Sequence, residues 1–431
     1  MAGFMPEVLV GRHVGVVGAA DIMLPQPGEA RVHRVVADSG DNRPLSGYPA
    51  VDRGWGTDTD PARARIAAVM ETFERQCLHG DAHPSPFTAT RRALQARDRR
   101  HVSPESLATF TREQYAGDGF RLARPPGVDD EMSWVAGFDL VTGEEVALPR
   151  QYCLYTDHGG EEPVWYRSTS NGSGAGSTPW AACLSGLLEL LERDAIMMLW
   201  HHRLRPPHLE VSDASPLGRL IARQVTAAEV EYRLIDLTGI HRIPVVLAVV
   251  WSRLNGRQVY SLGGAAGRTR AAAAHKALME ASMLNSNCRE IVGTGHARLM
   301  SPDEVTDFDG HMQYYLHPDR QIGLDFLLES RSTLPVDDIV PAELAGPPAT
   351  ILRRVSHRLR EEIAAEVYAV NLTPEGAETF DLHAYRVVAP KLYPLDCGHD
   401  LRHLRHPRLK VDPSGRPVVA EQLNSEPHPF P

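Results

Sequence analysis

Three stretches of the chain repeat apolar residues at helical spacing and set a separate acidic stripe beside them. At about 100° per residue, Leu184, Leu187, Leu188, Leu191, Ala195 and Met198 fall on one face of a helix, while Ser185, Glu189, Glu192 and Arg193 gather on a second stripe. Ser177 or Thr178 is placed to cap this helix, and Pro179 fits its first turn. The same offsets recur in a helix predicted over 61–79: Ala67, Glu71, Glu74 and Arg75 share a stripe, with Ile66, Val69, Met70, Phe73 and Cys77 opposite. A weaker third copy lies in a helix predicted over 269–287, where Lys276 precedes Glu280 by one turn and Met283 stands in place of the second carboxylate.

Between these helices the pattern changes to short apolar runs. Residues 132–148 read as a hairpin turning at Thr142-Gly143. The run 243–250 reads as a buried strand, and 259–263 as a strand entering the third helix. Strands are also expected at 8–10, 14–17, 152–155, 366–372 and 383–388, a helix then a strand over 219–234, a short helix within 104–110 and a polar helix over 351–362. The stretch 300–348, rich in Pro and Asp, reads as a linker, lid or partner-facing loop. The alternation predicts an α/β (α+β) fold, one domain of repeated strand-helix units. Residues 1–50 form a leading strand-and-turn segment, 51–426 the main domain, and 427–431 a Pro-x-Pro-x-Pro tail.

Glycine-rich polar segments precede two of the acidic helices: Ser168–Gly176 before the central one, and Gly263–Gly267 before the third. Backbone amides at a helix start favour an anion. Carboxylates on the helix favour Mg²⁺, which commonly binds through one or two carboxylates plus phosphate. Five glutamates converging on one site would raise one another's pKa values unless a cation compensates. No GxxxxGK[ST] motif and no strand-linked GxGxxG occurs, which excludes the familiar phosphate-loop and dinucleotide folds. A net charge of −10 argues against a nucleic-acid binder. No apolar run approaches the roughly 20 residues of a membrane span. The N-terminus lacks the pattern of a signal peptide. Five scattered cysteines, with no CxxC among them, suggest reduced thiols and a cytoplasmic setting.

From about residue 50 to the end, the chain resembles the YcaO family. The resemblance rests on Glu71-x-x-Glu74-Arg75, Ser168-x-x-Asn171-Gly172, Glu189-x-x-Glu192-Arg193-Asp194, Glu280-Ala281, the Trp134–Glu144 segment, Arg386-Val387-Val388 and the terminal Pro427-His428-Pro429-Phe430-Pro431. It implies ATP and Mg²⁺ as cofactors, with three carboxylate-bearing helices around an ATP site. Glu71, Glu189, Glu192 and Glu280 would be metal carboxylates, and Glu74, Ser168, Asn171, Arg193 and Lys276 nucleotide contacts. The proline tail resembles that of the azoline-forming branch, which implies a catalytic role for Pro427, Pro429 and Pro431 near the active site. The implied reaction is ATP-dependent cyclodehydration of Cys, Ser or Thr in a ribosomal precursor peptide. The implied assembly includes a separate ubiquitin-activating-like partner that holds the leader, or a homodimer. Thioamide or amidine formation, or a non-catalytic peptide-binding scaffold, are the alternatives. Three positions depart from the family pattern: Trp55 for lysine, Ala67 for serine and Met283 for glutamine.

Overall fold

A computed structural model describes residues 6–11, 16–40, 52–79, 85–117, 119–155 and 162–430. In chain order the principal elements are β1 (Val17–Met23), β2 (His33–Ser39), β3 (Arg53–Asp58), α1 (Pro61–Cys77), β4 (Phe87–Thr90), β5 (Glu131–Asp139), β6 (Glu145–Pro149), β7 (Ser173–Gly176) and α2 (Pro179–His201). There follow β8 (His208–Glu210), α3 (Pro216–Gln224), β9 (Glu231–Asp236), β10 (Val245–Leu254), β11 (Arg257–Ala266) and α4 (Arg270–Gly293). The last are β12 (Thr333–Pro335), α5 (Pro348–Ile363), β13 (Tyr368–Asn371) and β14 (His383–Val388).

The strands form three sheets, ordered β1-β2-β3, β11-β10-β9-β8-β12 and β4-β5-β13-β14-β7, with β6 on β5. This is the mixed α/β fold that the alternating pattern predicts. Each sheet ends on a strand carrying glycines, and each of those strands lies directly on the helix that follows it. A Cβ on Gly56 of β3 would stand 1.9 Å from the Ala64 carbonyl oxygen of α1. On Gly174 of β7 it would stand 2.4 Å from Ala182 O of α2, and on Gly263 of β11 2.4 Å from Ala281 N of α4. Glycine facing alanine lets strand and helix backbones touch. The glycine-rich segments 173–176 and 264–266, read from composition as loops, are strands: their glycines serve close packing, and they pair with β14 and β10.

The three helices begin on capped turns. Asp60 accepts from the Ala62 N–H, Thr178 from Ala181 and Thr269 from Ala272, and Pro61 and Pro179 occupy first turns. Helix α2 is the most enclosed, with Leu187, Leu191, Ala195 and Met198 all fully buried.

Several expectations differ from the structure. Tyr152 and Cys153 lie in a helical turn, not a strand, because Pro149 ends β6 and Arg150–Cys153 curls under β5. Residues 6–9 form a 3₁₀ turn. Val14 lies outside the described residues, and the strand there begins at Val17. The 300–348 stretch holds short helices at Phe308–Tyr314, Pro318–Gln321 and Asp325–Leu328, then β12, which adds in parallel to β8. All five cysteines are buried and unpaired. No described helix is long and apolar enough to cross a membrane.

Replacing Gly56 with alanine is expected to push β3 off α1 and lower stability by about 1–3 kcal/mol or more. Urea unfolding of the purified chain measures this, and an unchanged midpoint would contradict the backbone contact.

Candidate functional site

The acidic stripes of α1, α2 and α4 face one another where the three glycine strands meet their helices. Glu71 is fixed from two sides: one oxygen accepts the Trp55 N–H at 2.7 Å and the other pairs with Arg75 at 2.6 Å. Arg75 in turn donates to Arg53 O at 2.6 Å, tying α1 back to β3. Glu74 accepts from the Ser173 hydroxyl at 2.5 Å, which joins α1 to β7. On α2, Arg193 lies between its own neighbours, 3.5 Å from Glu192 and 3.7 Å from Glu189. Glu192 is buried and accepts the Ala266 N–H at 3.0 Å, which joins α2 to β11. Glu280 comes from α4, with the exposed Lys276 one turn before it.

These groups form one electrostatic unit. Burial pushes the Glu189 carboxyl up to about 8; Glu74 and Glu192 add to the shift and Arg193 opposes it. Burial also pushes Glu280 up to about 7, helped by Glu192 and Glu71. Glu74 rises through burial and the nearby Glu71, against the Ser173 hydrogen bond. Burial works against the charge on Arg193, but Glu192, Glu189, Glu280 and Glu71 outweigh it and hold the guanidinium protonated. The structure thus brings Glu71, Glu74, Glu189, Glu192, Glu280, Arg193 and Lys276 together. Five carboxylates outnumber the three cations Arg75, Arg193 and Lys276, and burial with mutual repulsion pushes Glu74, Glu189 and Glu280 toward their protonated forms.

Among the described residues, no three His, Cys, Asp or Glu close on one point as a complete metal cage. The donor set still fits Mg²⁺. All donors are hard carboxylate oxygens, and Mg²⁺ takes one or two of these together with phosphate oxygens and water. The shortage of positive charge is the observation that fits a divalent cation here.

The loop before β7 is held from within. Ser168 donates to Tyr152 O at 3.1 Å, and the buried Asn171 amide donates to Leu395 O at 3.1 Å. Ser173 closes the loop on Ser170 O, and Gly172 takes a left-handed φ of +81°. Ser168 and Asn171 therefore border the acidic cluster through Ser173 while their own donors point inward. Trp55 presents its backbone to Glu71, Ala67 is exposed on α1, and Met283 is half-buried on α4.

The tail packs against α2, the helix that carries Glu189 and Glu192. Pro427, His428, Pro429 and Phe430 are buried under the C-terminal half of α2, where Trp200 donates to Glu426 O and Tyr315 to Pro427 O. His428 stacks on His311 at 3.6 Å and bonds Asp396 O at 2.8 Å. Pro431 lies outside the described residues.

Asp194 has a role that spacing does not show. It is fully buried and accepts from His241, the Tyr393 N–H and the Nε and one terminal nitrogen of Arg408. Burial alone would raise its carboxyl, but Arg408 and His241 hold it well below the usual range. This network anchors α2 to the C-terminal segment. Its partners lie 47, 199 and 214 residues away, so no local signal in the sequence points to them.

A family model described as YcaO cyclodehydratase, ATP- and Mg²⁺-binding, matches residues 55–393. An uncharacterized protein in the tfuA 3′ region of Rhizobium leguminosarum bv. trifolii is 27% identical over 234 residues, 52% of this chain and 51% of that protein. An uncharacterized protein of Methanothermobacter thermautotrophicus is 29% identical over 211 residues, 48% of this chain and 50% of its own length. The match therefore spans about half the length of either curated relative. Among solved structures, a heterocyclase in complex with substrate and cofactor is similar with a TM-score of 0.77 at 20% identity, covering 98% of this chain and 56% of its own. YcaO from Methanopyrus kandleri, bound with AMPPCP and Mg²⁺, gives 0.61 at 22% identity, covering 90% of this chain and 88% of its own. The E. coli microcin synthetase McbBCD complex gives 0.58 at 13% identity, with 96% of each chain covered. At these identities the likeness is one of fold.

The raised carboxyls make stability depend on pH. A folded protein that binds a proton more tightly than its unfolded chain is most stable while that proton is bound, and loses stability as pH rises through the folded pKa. Buried His311, His403 and His406, held down at about 4, act in the opposite direction but only below their unfolded value of about 6.5. From about pH 6.5 to 8 the metal- and nucleotide-free protein is therefore expected to melt at steadily lower temperature and to level off above, as Glu280 and Glu189 ionise at about 7 and about 8. Glu189→Gln should flatten that slope in calorimetric scans. A slope equal to the native one would contradict the shared charge.

Proposed function

Since the chain belongs to the YcaO family, a family that binds ATP and Mg²⁺, we propose that it is an ATP-dependent cyclodehydratase that closes azoline rings in a ribosomal precursor peptide. The observation that carries this reading is the convergence of Glu71, Glu74, Glu189, Glu192 and Glu280 with Arg193 and Lys276, a site short of positive charge. Phosphoryl transfer needs little covalent help from protein; positioning and charge stabilisation supply the rate.

The Cys, Ser or Thr side chain of the peptide adds to the preceding backbone carbonyl. The resulting oxygen then attacks the γ-phosphorus of ATP and ADP leaves. Loss of phosphate, which carries off the former amide oxygen, and of the amide proton leaves a thiazoline or oxazoline. Phosphorylation turns a poor leaving group into a good one. Glu71, Glu189, Glu192 and Glu280 would hold Mg²⁺, which would offset charge on the phosphate oxygens. Arg193 and Lys276 add fixed and mobile positive charge on the same side. Glu74, fastened by Ser173, orients the nucleotide end of the site together with Ser168 and Asn171. The catalytic role proposed for Pro427, Pro429 and Pro431 rests on the resemblance of the tail to that of the azoline-forming branch.

The peptide reaches the site with a ubiquitin-activating-like partner that holds its leader, and the complex works in the cytoplasm. The neighbouring structure of a heterocyclase with substrate and the McbBCD complex support peptide and partner binding by proteins of this fold. Neither curated relative carries an assigned reaction. That keeps thioamide or amidine formation as the second reading within the family.

Incubating the chain with Mg²⁺-ATP, its partner and the precursor peptide is expected to remove one water per modified residue, matched by ADP and phosphate. Glu189→Gln should slow this by about 10²–10³-fold, the loss seen when one preorganised charge is withdrawn. Exchange of oxygen for sulfur in the peptide mass would select the thioamide reading. A bound peptide with no mass change would leave the scaffold.

A further inference from the structure

Arg386 on β14 is among the most deeply buried cations of the chain, with 1% of its surface exposed. A buried guanidinium normally faces a carboxylate. This one does not: among the described residues it makes no ion pair. Its two arms donate to backbone carbonyls, one to Thr169 O at 2.5 Å and one to Tyr152 O at 3.3 Å. Among the described residues its Nε has no partner. Its remaining cover is aromatic, with the Tyr152 ring 5.4 Å from the guanidinium carbon.

The two carbonyls are not arbitrary ones. Thr169 lies inside the Ser168–Asn171 loop, and Tyr152 O is also the acceptor of the Ser168 hydroxyl. The next residue on the strand, Val387, donates its N–H to Gly172 O at 2.7 Å. Adjacent residues of β14 thus grip the loop near both ends, 169 by a side chain and 172 by the backbone. At its C-terminal end the loop delivers Ser173 to Glu74. The charge on Arg386 is also unbalanced among the described residues. A loop held by an uncompensated cation is suited to an anionic group.

Resting on the reading that this loop receives a nucleotide, we propose that Arg386 is a positioning residue for nucleotide phosphate binding. It acts through the Ser168–Asn171 loop and touches neither phosphate nor peptide. The rigid fork of arginine spans two carbonyls at once; a lysine ammonium is a single point and cannot.

The test is calorimetric titration of the full chain with Mg²⁺ and a non-hydrolysable ATP analogue, beside Arg386→Lys and Arg386→Met, with unfolding temperature and amide hydrogen exchange measured on each. The expected result is at least a tenfold weaker nucleotide affinity for Arg386→Lys at a near-native unfolding temperature. Faster exchange should be confined to the amides of 169–173, with α2 unchanged. Arg386→Met should lose more affinity. Native-like affinity in Arg386→Lys would overturn the positioning role and leave the nucleotide reading intact. Global loss of exchange protection in Arg386→Lys would overturn it in favour of a general scaffold role. Failure of the native chain to bind the analogue would overturn the nucleotide reading and this role together.

Discussion

The structure depends on strands that lie against helices at backbone distance. Gly56 on Ala64, Gly174 on Ala182 and Gly263 on Ala281 are three uses of one device. A side chain at any of these glycines would separate strand from helix, and the acidic face of that helix would move with it. The closeness also lets strand amides reach helix carboxylates: Trp55 N–H meets Glu71, and Ala266 N–H meets Glu192. Placement of the carboxylates is thus a consequence of backbone packing rather than of long side-chain chains of contact.

What that packing assembles is unfavourable on its own terms. Glu74, Glu189 and Glu280 are pushed toward their protonated forms because burial and mutual repulsion exceed what Arg75, Arg193 and Lys276 supply. A fold tolerates such a site only if the surroundings hold it rigidly. Helix α2 is held by Asp194, pinned by Arg408, His241 and the Tyr393 amide. The β7 approach is held by Ser173 and by the strand beside it. Charge deficit and rigid support together describe a site prepared for a cation and an anion that arrive together.

Much of this was legible from residue pattern. The acidic stripes at Glu71-x-x-Glu74 and Glu189-x-x-Glu192, the cap at Thr178 with Pro179, and the turn at Thr142-Gly143 are local signals. Local physics produces what they predict. The glycine-rich segments read as loops by composition, which reports freedom of the backbone and not what the backbone touches. Gly174 and Gly263 are needed for contact with a helix that comes later in the chain. Tyr152 and Cys153 looked strand-like by propensity, but the preceding proline and the sheet above them impose a turn. Arg386 and Asp194 could be seen as residues yet not as functions, since their partners lie 217 and 214 residues away.

The central claim is that the acidic cluster holds protons that a metal-nucleotide complex displaces. Calorimetric titration of Mg²⁺ with an ATP analogue near pH 7, repeated in buffers of different ionisation enthalpy, measures this directly, because a metal that requires ionised ligands releases their protons on binding. The account predicts a net release of about one to two protons, with Glu189 and Glu280 as the sources. Binding with no proton released would contradict it, since the carboxylates would then already be ionised and the charge deficit would not exist.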